Sequence, residues 1–172
     1  MSIFDTALEW GPIYRIRRNH ALEHATLKIL SKKHPGKKLA GYSDIRGFWL
    51  FGAVPTDDVQ IAIEEALQRL RAGEHGLAVH PTCGTNFAVS GALAGTTAWI
   101  GMLGTGNNIR RKLDRWPLVV VFATMALIFS QPLGPKIQEK VTTCAKPGTL
   151  RIVEIIKMER NHMPVHRVVT DR

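Results

Sequence analysis

Apolar residues change their period several times along the chain, and each change predicts an element. After Gly11-Pro12, Ile13, Ile16, Leu27 and Leu30 recur at helical spacing. Proline suits a first helical turn and His34-Pro35-Gly36 is a stop, so a helix is predicted up to about Lys33, with a shorter helical piece before Gly11. Two short runs follow, Leu39-Ala40-Gly41-Tyr42 and Phe48-Trp49-Leu50-Phe51, separated by Ser43 to Gly47. Aromatic and aliphatic runs of that length around a polar turn predict two paired strands. Helical spacing returns at Val59, Ile63, Ala66, Leu67 and Leu70, with Thr56 as expected N-cap, Asp57 and Asp58 in the first turn and Gly73 as a stop. Leu77 to His80 reads as a short strand, which makes a soluble β-β-α-β unit.

The pattern then changes in kind. No Asp, Glu, Lys or Arg occurs from Gly76 to Ile109, nor from Trp116 to Pro135. Phe87 to Leu103 and Pro117 to Leu133 each approach the roughly 20 apolar residues that cross a bilayer. Between them lies a polar basic turn with Asn107, Asn108, Arg110, Arg111, Lys112 and Arg115. This predicts a two-helix transmembrane hairpin; the competing reading is a buried hairpin, since the first stretch is rich in Gly, Ala and Thr. Gly91 and Gly95 form G-x-x-x-G, which would pack against the second span or, in a homodimer, a second copy. Beyond Lys136, the pattern gives a short amphipathic piece, a break at Lys146-Pro147-Gly148, and strands around Leu150 to Met158 and Val165 to Val169. The expected fold is therefore α+β: an N-terminal helix, then a β-β-α-β unit completed by C-terminal strands and interrupted by the membrane hairpin. The expected divisions are 1–86, 87–135 and 136–172.

Composition narrows the partners. The chain has 172 residues, with 23 Lys+Arg against 14 Asp+Glu, a formal net charge of +9. That balance favours anionic lipid headgroups or nucleic acid, but the basic residues are dispersed and no RNA-recognition or zinc-finger spacing is present, so nucleic acid is not expected. A homodimer or a partner within a membrane complex remains open. Two cysteines, Cys83 and Cys144, are too few for a disulfide framework. The first ten residues lack the basic and apolar regions of a secretory signal. Flanking charges are nearly balanced, so the expectation is an integral membrane protein with cytoplasmic termini.

The chemistry concentrates at His20-Ala21-Leu22-Glu23-His24, an H-x-x-E-H. On a helix, positions i, i+3 and i+4 share a face, so two imidazoles could hold zinc while Glu23 acts as general base on bound water. This order resembles that of the inverted zincins, zinc metallopeptidases whose third ligand is a downstream Glu. That resemblance makes Glu64, Glu65 and Glu74 the acidic candidates, with Glu74 the alternative third ligand. A second group, His75, His80 and Cys83 before Gly84-Thr85-Asn86, offers H-x-x-C spacing. His80 and Cys83 with His20 and His24 would make a closed, structural site; His80 alone would leave a position open. The competing readings are hydrogen-bonded helix-face histidines and a polar loop capping the first span. His34, His162 and His166 read as surface or loop residues.

Taken together, the Asn19 to Thr26 segment, the Leu39 to Asp44 run, the Gly47 to Gly52 run and the His80 to Asn86 segment resemble a family of small bacterial membrane proteins with N-H-A-L-E-H-A and H-P-x-C-G-T-N segments. The likeness spans residues 15 to about 135 and implies a shared fold in a bacterial inner membrane, with no activity attached. Two functions follow. One is a membrane-tethered zinc hydrolase using His20, His24 and Glu23. The other is a membrane-anchored adaptor or assembly factor with a structural metal or other cofactor.

Overall fold

Asn19 and the apolar residues around it explain why the motif helix lies where it does. The computed structural model describes residues 3–160 and 163–171. Its elements run α1 (Ile3–Leu8), α2 (Gly11–Lys33), β1 (Ala40–Asp44), β2 (Gly47–Phe51), α3 (Thr56–Arg71), a 3-10 turn (His75–Ala78), α4 (Gly84–Met102), α5 (Ile109–Ser130), α6 (Leu133–Ile137), a π-helical turn (Gln138–Thr142), β3 (Arg151–Arg160) and β4 (Met163–Asp171). The chain divides into two units, one of residues 1–80 with 139–172, the other of residues 81–138.

In the first unit the strands form one antiparallel sheet in the order β1-β2-β4-β3. The C-terminal strands thus join the sheet begun before the second unit, as the sequence pattern implied. Phe48 stands opposite Val168 and Leu50 opposite His166. Side chains alternate across a strand, so this set shares one face. All four are buried there, in a core with Leu22 and Leu30 of α2 and Ile63 and Leu70 of α3. Each such aliphatic or aromatic side chain contributes about 2 kcal/mol on burial. Asn19, itself buried, ties the helix to the sheet. Its Nδ2 donates to the Asp44 carbonyl at 2.8 Å, and its Oδ1 accepts from Thr170 Oγ1 at 2.7 Å.

Several expectations change. Residues 75–78 form a 3-10 turn rather than the expected strand from Leu77 to His80, because Glu74 O accepts from Leu77 N before any strand partner is reached. Thr56 opens α3 without capping it; Pro55 holds the cap position, and Thr56 Oγ1 instead lies 3.1 Å from His166 Nε2. His166 is consequently a fully buried sheet residue, not a surface one. His162 lies outside the described residues.

In the second unit α4 and α5 pack side by side, with Ser90 and Ser130 hydroxyls 2.6 Å apart. A Cβ on Gly101 would meet Val119 Cγ2 at 2.8 Å, so that glycine permits the close approach. Gly91 and Gly95 face open space instead, which removes the second span of the same chain as the partner of their G-x-x-x-G. Of the two expected membrane spans, only α5 is long and apolar enough to qualify. Asn86, Ser90, Thr96, Thr97 and four glycines dilute α4, although it carries no ionised residue. Asn86 also builds the base of this unit: its Nδ2 donates to Pro81 O at 2.7 Å and its Oδ1 accepts from Gln138 Nε2 at 2.5 Å.

Candidate metal centre

Two adjacent turns of α2 carry the histidines of the motif, and their rings meet edge to face with centroids 4.2 Å apart. One ring nitrogen of each lies within 4.8 Å of one from the other. Each ring is fixed by its Nδ1. His24 Nδ1 is 2.7 Å from the Ala78 carbonyl, and His20 Nδ1 is 3.0 Å from the Thr142 carbonyl. A carbonyl only accepts, so both Nδ1 atoms carry the proton, and Nε2 is the ring nitrogen of each that can offer a lone pair. Metal-ligating histidines are characteristically oriented by this kind of outer hydrogen bond.

The third imidazole is His80, whose ring centroid stands 5.6 Å from that of His24. Burial, with the nearby His24 and Lys28, pushes its pKa down to about 4. It is therefore neutral, the form that donates a lone pair, over the whole physiological range. Burial, and then Lys32, likewise lowers the Lys28 ammonium, which donates to Gly76 O at 2.7 Å.

These bonds give α2 a grip on both segments that lead into and out of the second unit. His24 and Lys28 hold the 3-10 turn before it. His20 holds Thr142 after it, and Arg17 donates to Lys140 O at 3.0 Å and Thr143 O at 3.1 Å, while its own carbonyl accepts from Cys144 N at 2.9 Å. Arg18, the next residue along the helix, is buried and donates to Pro147 O. A long basic side chain among apolar neighbours gives no sequence signal that distinguishes a carbonyl clamp from a solvated charge.

Glu23 reaches β1. Ser43 Oγ donates to its Oε2 at 2.5 Å, and Gly41 leaves room for the carboxylate, since a Cβ there would collide with it. Burial raises the Glu23 pKa, against the Ser43 hydrogen bond and the charge of His20. Neither Gly41, expected within the first strand, nor Ser43, expected at the start of the turn but found in β1, was expected at the site. Of the other acidic candidates, Glu74 and Glu65 are engaged by Arg69, at 2.6 and 3.0 Å, and Glu64 is exposed beside Gln60. Hydrogen bonds from Arg69 hold the Glu74 carboxyl below the usual carboxylate range. Cys83 belongs to the second unit, where its sulfur caps α4 by accepting from Thr85 N at 3.4 Å.

The class is thus an α+β unit with an inserted helical pair, carrying a histidine cluster on its motif helix. A family model described as a domain of unknown function, DUF6391, matches residues 15–155, and the chain belongs to that family. It is similar to an uncharacterized protein of Picosynechococcus sp. (strain PCC 7002), 36% identical over 158 residues, covering 81% of this chain and 71% of the relative. No solved structure matches it.

Proposed function

We propose that this is an integral membrane protein whose sheet-bearing unit binds a zinc ion through His20 and His24, with His80 and Cys83 as further ligands. The observation that carries the metal is the pair of Nδ1–H bonds to backbone carbonyls, which sets two Nε2 lone pairs on neighbouring turns of one helix. Imidazole and thiolate are zinc's preferred donors. Cys83 follows His80 by three residues, a reach of at most about 11 Å.

Burial and topology support the membrane. Only 11% of the apolar window of α5 is buried, whereas a soluble core helix would be mostly covered. Trp99, Phe122 and Phe129 are likewise exposed. Strands from before and after the second unit share one sheet. Both of its ends therefore lie on the same side of any bilayer, and α5 cannot cross alone. α4, about 28 Å long at 1.5 Å per residue, crosses beside it.

A second reading, a membrane-tethered hydrolase, is favoured by Glu23. A buried carboxyl of raised pKa beside a ligand histidine suits a general base, and zinc would supply Lewis acidity. The non-enzymatic alternative is an anchored assembly factor with a closed structural site. Cobalt substitution of the purified full-length protein tests these readings. Tetrahedral cobalt bands that vanish in His20→Ala and persist in Glu23→Gln support the metal. Thiolate-to-cobalt absorption lost in Cys83→Ser, with all four ligand variants weakening binding, identifies the closed site and removes the hydrolase. No bands in the wild type remove both.

A further inference from the structure

We infer that the tip of the α4–α5 pair is a docking surface for anionic phospholipid headgroups. This rests on the membrane reading above. Arg110, Arg111, Lys112, Asp114 and Arg115 are the only ionised residues between Gly84 and Ser130, and all sit within one and a half turns at the start of α5. Their jobs differ. Arg115 Nη1 donates to Leu103 O at 2.7 Å and Gly101 O at 3.3 Å, closing the carbonyl end of α4. Asn108 Oδ1 accepts from Arg110 N at 3.0 Å and Arg111 N at 3.4 Å, closing the amide end of α5. The turn is thus built without the side chains of Arg110 and Arg111, which are exposed, or of Lys112, which is half-buried, and the three make no ion pair among the described residues.

Length places this charge at a headgroup. From the Ser90–Ser130 rung to Arg111 is about 28 Å of helix. The hydrocarbon core is about 30 Å thick, so with that rung at one boundary the basic cluster emerges at the other. Trp116, 59% exposed, follows the cluster directly, at the depth where indole rings favour the interface. Three unpaired cations beside an interfacial tryptophan complement phosphate monoanions, and each basic residue near such a surface strengthens binding about fivefold.

The test uses full-length protein in detergent offered equal phosphatidylglycerol and phosphatidylcholine, with retained lipid counted by native mass spectrometry. Protease protection in vesicles measures insertion separately. The wild type is expected to prefer phosphatidylglycerol. Replacing Arg110, Arg111 and Lys112 by Gln should cut that preference by at least tenfold while insertion persists. Replacing Lys37, Lys38 and Arg46 by Gln should leave it unchanged. Retained preference in the tip variant, or equal loss in the control variant, overturns the tip site while leaving the membrane reading intact. A wild type that fails to insert overturns both.

Discussion

Asn19→Ala is expected to cost about 2–4 kcal/mol, more than most substitutions that remove so little volume. Asn19 is 1% exposed and meets two buried partners at hydrogen-bonding distance, the Asp44 carbonyl and the Thr170 hydroxyl. Alanine leaves both unsatisfied, and each such orphan costs about 1–3 kcal/mol, least for Asp44, which lies nearer water. For a unit of roughly 110 residues the unfolding entropy turns about 3 kcal/mol into a fall of about 13 °C in Tm. The assay is thermal unfolding of detergent-solubilised protein followed by near-UV circular dichroism. Asn19→Asp should be no better, because it keeps the acceptor for Thr170 but aims a carboxylate at the Asp44 carbonyl oxygen. The cycle Asn19→Ala with Thr170→Val should show coupling of about 1–2 kcal/mol. A Tm shift below about 3 °C, or additive effects in the cycle, would refute the view that this residue fastens the motif helix to both hairpins of the sheet.

Other predictions follow from the same geometry. Gly41→Ala should destabilise by about 2 kcal/mol by pushing Glu23 off Ser43, and Glu23→Ala should largely relieve that cost in a double-mutant cycle. Burial alone would raise the Asp44 pKa, but hydrogen bonds from Arg167 and Arg46 outweigh it and hold the folded value below that of the unfolded chain. Its stabilisation is therefore complete above the unfolded value near 4 and fades as pH falls through the lower folded one. In thermal melts between pH 2.5 and 6, Asp44→Asn should flatten that acid limb. Arg17→Leu should speed amide exchange across residues 140–144, leaving 75–78 protected, since Arg17 holds only the later segment.

The sequence exposed the fold wherever hydrophobic period decided it. Val59 to Leu70 read as a helix because one face is buried, and the C-terminal strands could be assigned to the earlier sheet because apolar strand-length runs on both sides of the insert needed a common partner. It failed where a tertiary bond overrode a local rule. Thr56 has good capping chemistry but is drawn to His166, and His166 beside Pro164 gave no sign that β4 is a central strand. The H-x-x-E-H and H-x-x-C segments were legible as donors from spacing alone. Three things were not: that Nδ1 of His20 and of His24 would each find a backbone carbonyl, that Glu23 would face Ser43, and that Arg69 would claim Glu74. These depend on which backbone atoms the fold delivers to α2, and no side-chain pattern encodes that.

The most direct measurement is the zinc content and affinity of full-length protein purified without chelator, by elemental analysis and competition with a chromophoric chelator. The account predicts about one zinc per chain, with affinity falling at least a hundredfold in His20→Ala and in His24→Ala and little changed in Glu74→Gln. A metal-free protein whose thermal stability is indifferent to zinc and chelator would contradict it, leaving the two histidines as clamps on the backbone and nothing more.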